Sequence, residues 1–317
     1  MSSQPPVVRI GARGSQLSLA QAGQMQRRIA AALGAAPEDA EKVAPLIVIR
    51  TSGDQIQDRR LLEVGGKALF TKEIEEALLE GRIDVAVHSM KDVPSQQPAG
   101  LAIAAIPERE DPRDAFCSTF DSLDALPQGA RLGTASLRRQ AQALFRRPDL
   151  DVVMMRGNVD TRLAKLAAGE ADAILLAASG LNRMGLGATP RGFLDPVAAP
   201  PAPGQGSLAI QTRVEDQDAP WALALRCAAT TLTVTAERGA LEALEGSCRT
   251  AMGAYARLDG ARLNLIVEAL TPDGKHRFRR QAETDLTGDG LADARALGLR
   301  LGEQVRDEGG EALVLKD

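Results

Sequence analysis

Histidine and cysteine, from which zinc sites and disulfide frameworks are built, are nearly missing from this chain. His88 and His276 are its only histidines, and Cys117, Cys227 and Cys248 its only cysteines. The cysteines are odd in number and widely spaced, and no C-x-x-C occurs, so neither a disulfide scaffold nor a metal is expected. That pattern fits a reduced compartment, and a cytoplasmic protein is expected. Aromatic residues make up only 3% of the chain, so the cores must be built from Ala, Leu, Val and Ile. The same scarcity leaves few platforms for stacking bases. No run of about 18 apolar residues is present, and the opening M-S-S-Q-P-P-V-V-R-I lacks the apolar stretch of a secretory signal. Neither a membrane partner nor export is expected. A formal net charge of −4 argues against general nucleic-acid binding.

What the chain does have is alternation of strand and helix patterns. At 317 residues it is long enough for two or three domains. Strands are predicted at Val7–Gly11, Leu46–Arg50 and Ile83–Val87, with helices over about Gln16–Leu33 (capped by Ser15) and Thr71–Glu80. The polar stretch T-S-G-D-Q-I-Q-D-R-R-L-L-E-V-G-G between them is long for a connection and reads as a lid. P-E-R-E-D-P-R-D (107–114) reads as a linker. A second series follows, with strands at Arg131–Gly133, Val152–Met155 and Ala173–Ala177, each leading into a helix. A-A-P-P-A-P-G-Q-G (198–206) breaks the pattern before a strand at Ser207–Gln211. Two linkers flanking one α/β unit imply that the chain leaves a first domain, builds a second and returns. The expected division is 1–107 with 205–220, then 108–204, then an α+β region over 221–317 that starts with a helical stretch near Trp221–Leu244.

The chemistry gathers just past the strands. Arg13 and Ser15 follow the first strand, and Lys91 and Asp92, in V-H-S-M-K-D-V-P, follow the third. Thr134, Ser136, Arg138 and Arg139 follow the strand at 131. Arg156 and Arg162 follow the strand at 152, and Ser179 and Arg183 the strand at 173. Carboxyl ends of parallel strands share one edge of a sheet, so these groups should converge there. Each lies near a helix N-terminus, where free N–H groups favour anions. Guanidinium groups grip carboxylates in a two-point fork. Residues 131–165 hold eight Lys or Arg against three Asp. The implied ligand carries several negative charges and lies between two lobes.

Asp92 reads as the lone carboxylate among these cations, able to hold a donor N–H or a developing cation on the ligand. A turn aspartate is the plainer reading. His88 reads as a hydrogen-bonded core histidine, and Arg146 and Arg147 as surface. Phe70 reads as core, although it follows the lid. Cys248, in E-G-S-C-R-T, falls in a loop where Arg249 would favour the thiolate.

In order, R-I-G-A-R-G-S-Q-L-S-L-A-Q, G-G-K-A-L-F-T-K-E-I-E-E-A-L-L, V-H-S-M-K-D-V-P, E-R-E-D-P-R-D-A-F, G-T-A-S-L-R-R-Q, R-G-N-V-D-T-R-L-A-K-L, P-A-P-G-Q-G and G-S-C-R resemble the porphobilinogen deaminase (hydroxymethylbilane synthase) family. The resemblance covers the two α/β units and touches the last region chiefly through G-S-C. It implies two periplasmic-binding-protein-like α/β domains with a cleft between them and a small α+β C-terminal domain. It implies a transferase of tetrapyrrole biosynthesis that joins four porphobilinogen molecules head to tail, releases ammonia and frees linear hydroxymethylbilane. It implies a dipyrromethane cofactor held by a thioether to Cys248, with no metal. Asp92 takes the catalytic position; Lys91, Asp92, Ser136, Arg138 and Arg139 the cofactor positions; Arg13, Ser15, Phe70, Arg156, Arg162 and Arg183 the substrate positions. Ala135 departs from the serine common in G-T-x-S-L-R-R. A monomer acting on a small molecule is expected. The competing reading is a non-catalytic two-lobed binding protein for a small polyanion, which needs neither Cys248 nor Asp92. Nucleic-acid binding through residues 131–165 is disfavoured by the acidic total.

Overall fold

The structure, a computed structural model, describes residues 7–52, 70–244 and 250–313. In chain order, the first elements are β1 (Ile10–Ala12), α1 (Gln16–Ala32), α2 (Ala40–Val43), β2 (Leu46–Val48), α3 (Lys72–Leu79), β3 (Val85–Ser89) and β4 (Leu101–Ala105). Then come β5 (Asp114–Ser118), β6 (Arg131–Gly133), α4 (Leu137–Arg146), β7 (Asp151–Val153), α5 (Val159–Ala167), β8 (Ala173–Ala177), α6 (Ala178–Arg183) and β9 (Gly192–Phe193). The chain closes with β10 (Leu208–Arg213), α7 (Pro220–Leu223), α8 (Ala228–Leu244), β11 (Ala251–Asp259), β12 (Arg262–Leu270), β13 (Arg277–Asp285) and α9 (Leu291–Gly309).

Two compact units result: Met1–Arg109 with Ser207–Thr231, and Glu110–Gly206 with Leu232–Asp317. In the first, one sheet has the order β2-β1-β3-β10-β4. Strands β1, β2 and β3 run parallel, and β10 is antiparallel to both β3 and β4. Alternation along β3 serves two cores. Val85 and Val87 join Ile10, Met25 and Ile29 on the α1 face, while Ile83 and Ala86 join Ile74 and Leu78 on the α3 face. A strand buried on both faces must be apolar nearly throughout, as β3 is.

The second unit repeats the order as β7-β6-β8-β5-β9, again with one antiparallel strand, β5, in the fourth place. Phe116, Leu132 and Leu175 fill one face, and Ala115, Cys117, Ile174 and Leu176 the other. The same unit holds a three-stranded antiparallel meander, β11-β12-β13. Ala236 and Ala240 of α8 and Leu297, Leu301 and Val305 of α9 cover one face of it. The fold is thus α/β, with two five-stranded mixed sheets and a small α+β region.

Several expectations need correction. Strands β4 and β5 went unseen, and Asp114, read as the end of a linker, is the first residue of β5. The single helical stretch from Trp221 divides into α7 and α8. Trp221, Ala222 and Leu225 pack in the α1 core, so the first unit extends to Thr231 rather than to 220. Its other limits lie at 109 and 207 rather than at 107 and 205. Arg147 is no surface residue: it donates to the carbonyls of Leu123 and Leu126 at 3.0 Å each and pairs with Asp149 at 2.7 Å. Of the lid stretch 51–66, residues 53–66 lie outside the described residues, as does Cys248.

Candidate active site

In the first unit, parallel pairing brings the ends of β1 and β3 to one sheet edge. Ser15 caps α1, its Oγ accepting from the Ser18 N–H at 3.3 Å, and the Arg13 N–H donates to Ser18 Oγ at 3.1 Å. This local wiring aims the Arg13 side chain across the edge, where its guanidinium lies 4.0 Å from the centre of the Phe70 ring. A guanidinium over an aromatic face is attracted by the ring's negative π face. Phe70 is therefore part-buried against a cation rather than a core residue.

Strand β3 ends in a single 3₁₀ turn, Met90–Asp92. Met90 is buried and anchors the turn, its N–H donating to the Ser207 carbonyl at 3.0 Å, while Asp92 is exposed and Lys91 part-buried. Beneath them His88 is buried, with Nε2 3.0 Å from Gln211 Oε1. Gln211 directs its amide N–H groups to Gln97 and Glu75, which leaves its oxygen to accept from the imidazole. Burial drives the His88 pKa down to about 4, against the Gln211 hydrogen bond and the charge of Asp92 and with the charge of Arg13. His88 is a neutral core donor, as expected, and it senses both Arg13 and Asp92.

In the second unit β6, β7 and β8 run parallel, and β5 starts at the edge where they end. Ser136 Oγ caps α4 by accepting from the Arg139 N–H at 3.4 Å, and Asn158 caps α5. The expectation of one carboxylate among the cations fails here. Asp114 is 2% exposed and takes Arg138 Nη1 at 2.6 Å and Arg139 Nη2 at 2.8 Å. Gln205 Nε2 adds a bond at 3.0 Å. Burial works against the ionised carboxyl, but the two guanidinium groups override it and hold its pKa far below the usual range. Three ionised groups therefore leave one net positive charge, and both arginines, 6% exposed each, are braced rather than mobile.

Arg162 is different. Its Nε donates to the Gly157 carbonyl at 2.8 Å. Gly157 has φ +119°, and a Cβ there would meet Thr161 Cγ2 at 2.6 Å, so glycine alone allows this turn. Burial, then the charges of Arg139 and Arg156, push the Arg162 pKa down to about 10. Burial and two neighbouring cations thus oppose its charge, a strain that a bound anion would relieve. Arg183 donates from Nη2 to the Gly206 carbonyl at 2.7 Å, while its buried Nε has no partner among the described residues. Burial lowers its pKa, with Glu110 acting the other way.

Arg13, Lys91, Asp92 and Phe70 thus share the first unit, and Ser136, Arg138, Arg139, Arg156, Arg162 and Arg183 the second. Asp114 was missed because its strand was missed; the short apolar run A-F-C after the charged stretch was the available signal.

Comparison with known proteins completes the description. The sequence profile described as "Porphobilinogen deaminase, dipyromethane cofactor binding domain" matches residues 8–220, and the profile of the "Porphobilinogen deaminase, C-terminal domain" matches residues 231–307. A porphobilinogen deaminase of Caulobacter vibrioides (strain NA1000 / CB15N) is 68% identical over 323 residues, covering 100% of both chains. One from Phenylobacterium zucineum (strain HLK1) is 66% identical over 98% of this chain and 99% of its own. Among solved structures, the periplasmic VFT2 domain of Bordetella pertussis BvgS aligns with 69% of this chain and 86% of its own, at 16% identity and a TM-score of 0.38. A periplasmic sulfonate-binding protein SsuA from Methylobacillus flagellatus KT aligns with 74% of this chain and 68% of its own, at 14% identity and a TM-score of 0.36.

Proposed function

The chain belongs to the porphobilinogen deaminase family, and we propose how its residues divide that family's reaction. The activity is that of a transferase, hydroxymethylbilane synthase, joining four porphobilinogen molecules head to tail with release of ammonia. A dipyrromethane-binding domain is part of the chain. When bound, that group supplies the pyrrole end onto which the substrate units are joined. Its acetate and propionate arms suit the cations described above, and the burial of Arg162 among like charges supports a polycarboxylate ligand.

Lys91, Ser136, Arg138 and Arg139 hold the cofactor's carboxylates, and Cys248 anchors it through a thioether. In the sequence, two residues separate Cys248 from the start of β11. Arg13, Ser15, Arg156, Arg162 and Arg183 take the carboxylates of incoming substrate, with Phe70 bracing Arg13. Asp92 is the catalytic residue: its exposed carboxylate accepts from pyrrole N–H groups and stabilises the positive charge that develops on substrate as ammonia leaves. It also holds or returns a proton at its carboxylate oxygen. The neutral His88 beneath it adds no competing positive charge. The protein is taken to act as a monomer in the cytoplasm, a reducing compartment that suits the free thiols of Cys117 and Cys227.

The observation that carries the reading is the Arg139–Arg156–Arg162 cluster, in which Arg139 and Arg156 act on Arg162 as like charges while its Nε is held by the Gly157 carbonyl at 2.8 Å. The test is incubation with porphobilinogen while ammonia and linear tetrapyrrole are measured. Both should accumulate in step; tight binding of porphobilinogen without ammonia release would favour the polyanion-binding alternative.

A further inference from the structure

A buried polar chain in the second unit runs from β12 through α4 to β5, and its members Glu268 and Gln142 have none of the roles assigned above. It starts at Glu268, in the middle strand of the meander and 1% exposed. Glu268 Oε2 accepts from Arg277 Nε at 2.9 Å and Arg279 Nη1 at 3.1 Å. Its Oε1 accepts from Gln142 Nε2 at 2.8 Å. Gln142 Nε2 also donates to the Pro200 carbonyl at 2.8 Å, and Gln142 Oε1 accepts from Arg138 Nη1 at 2.9 Å. Arg138 then meets Asp114, which also holds Arg139.

The chain has one permitted polarity. Glu268 and the Pro200 carbonyl offer only acceptors, so Gln142 must turn its NH₂ group to both, leaving its oxygen for Arg138. A half-turn of that amide would set oxygen against two acceptors and N–H against N–H, in surroundings where unmade hydrogen bonds are most costly. The Pro200–Pro201 segment is fixed from a second side, because the Ala254 N–H of β11 donates to the Pro201 carbonyl at 2.9 Å.

We infer that Glu268 is a positioning residue for the cofactor-binding arginines: by orienting Gln142 it seats Arg138 on Asp114 and sets how the Arg138–Arg139 pair faces a carboxylate. The inference rests on the reading above that this pair holds the arms of the dipyrromethane. A purely structural role is the rival explanation, and loading of the cofactor separates the two. Full-length wild type, Glu268→Leu, Gln142→Leu and Arg147→Leu are produced without a supply of porphobilinogen and then mixed with it. The two-pyrrole mass gain is followed by intact-mass spectrometry, and Tm is measured for each.

Well below their melting temperatures, Glu268→Leu and Gln142→Leu should load about tenfold more slowly than wild type, since small misplacement of a binding group is amplified in rate. Arg147→Leu, whose loop contacts lie outside the chain, should lose Tm and load at the wild-type rate. If Glu268→Leu does not fold, Gln142→Leu decides. Wild-type loading by Gln142→Leu, or equal slowing by Arg147→Leu, overturns the positioning role. A wild type that gains no two-pyrrole mass overturns the cofactor reading itself, and this inference with it.

Discussion

Each α/β unit sets four parallel strands beside one antiparallel strand in the same order, yet their cation-rich edges treat a carboxylate in opposite ways. At the edge of the first unit Asp92 is exposed on a short turn, above a neutral imidazole and within electrostatic reach of it. At the edge of the second, Asp114 is sealed beneath Arg138 and Arg139. The first arrangement leaves an anion able to meet a ligand's N–H groups. The second uses its anion to keep two guanidinium groups in place in the absence of ligand. One architecture therefore yields an exposed carboxylate and a scaffolding one, and burial is what separates them.

Substitutions sharpen that contrast. Asp92→Ala should lower turnover by roughly 10²-fold or more, the scale of losing electrostatic and proton-transfer help at a reacting centre. Its Tm should barely move, because the side chain is exposed. Near-normal ammonia release would remove Asp92 from its role. Asp114→Ala should instead destabilise the fold by about 3–5 kcal/mol in denaturant titrations, because it leaves two buried guanidinium groups without their counter-charge. Equal stability of these two variants would dissolve the distinction. Asp114 also carries an acid signature: a depressed carboxyl stabilises the fold above its unfolded value of about 4, and that stability is lost as pH falls below it.

A gentler pH dependence belongs to His88. The folded protein keeps it neutral down to about pH 4, whereas the unfolded chain takes up a proton below about 6.5. Stability should therefore decline by ~3 kcal/mol as pH falls from about 6.5 to about 4. His88→Gln should flatten that stretch of the curve, and an unchanged slope would show that another group sets it. The smallest effect on stability is expected from Arg162→Met. It removes a part-buried charge crowded by like charges, so Tm should hold or rise slightly. KM for porphobilinogen should still increase about tenfold, as when a charge-assisted hydrogen bond is lost. A large fall in Tm would make Arg162 structural.

The sequence made the cations visible because strand ends and helix caps are local features. Ser15, Ser136 and Asn158 announce their helices, and β6 and β8 have the predicted limits. Tertiary partnership was not legible. Asp114 meets Arg138 only because β5 enters the sheet antiparallel to β8, a pairing across some 60 residues that no local pattern encodes. The break between α7 and α8 was equally hidden, since Trp221 leaves the helical run to fill the α1 core. Arg147 looked like half of a surface pair, yet its guanidinium closes a loop through carbonyls that carry no side-chain signature.

The central claim is that the chain carries a two-pyrrole group anchored on Cys248. Intact-mass measurement of the purified active protein addresses it directly. The wild type should exceed its polypeptide mass by a dipyrromethane unit, and Cys248→Ser should show the polypeptide mass alone. Full activity at the bare polypeptide mass would contradict it.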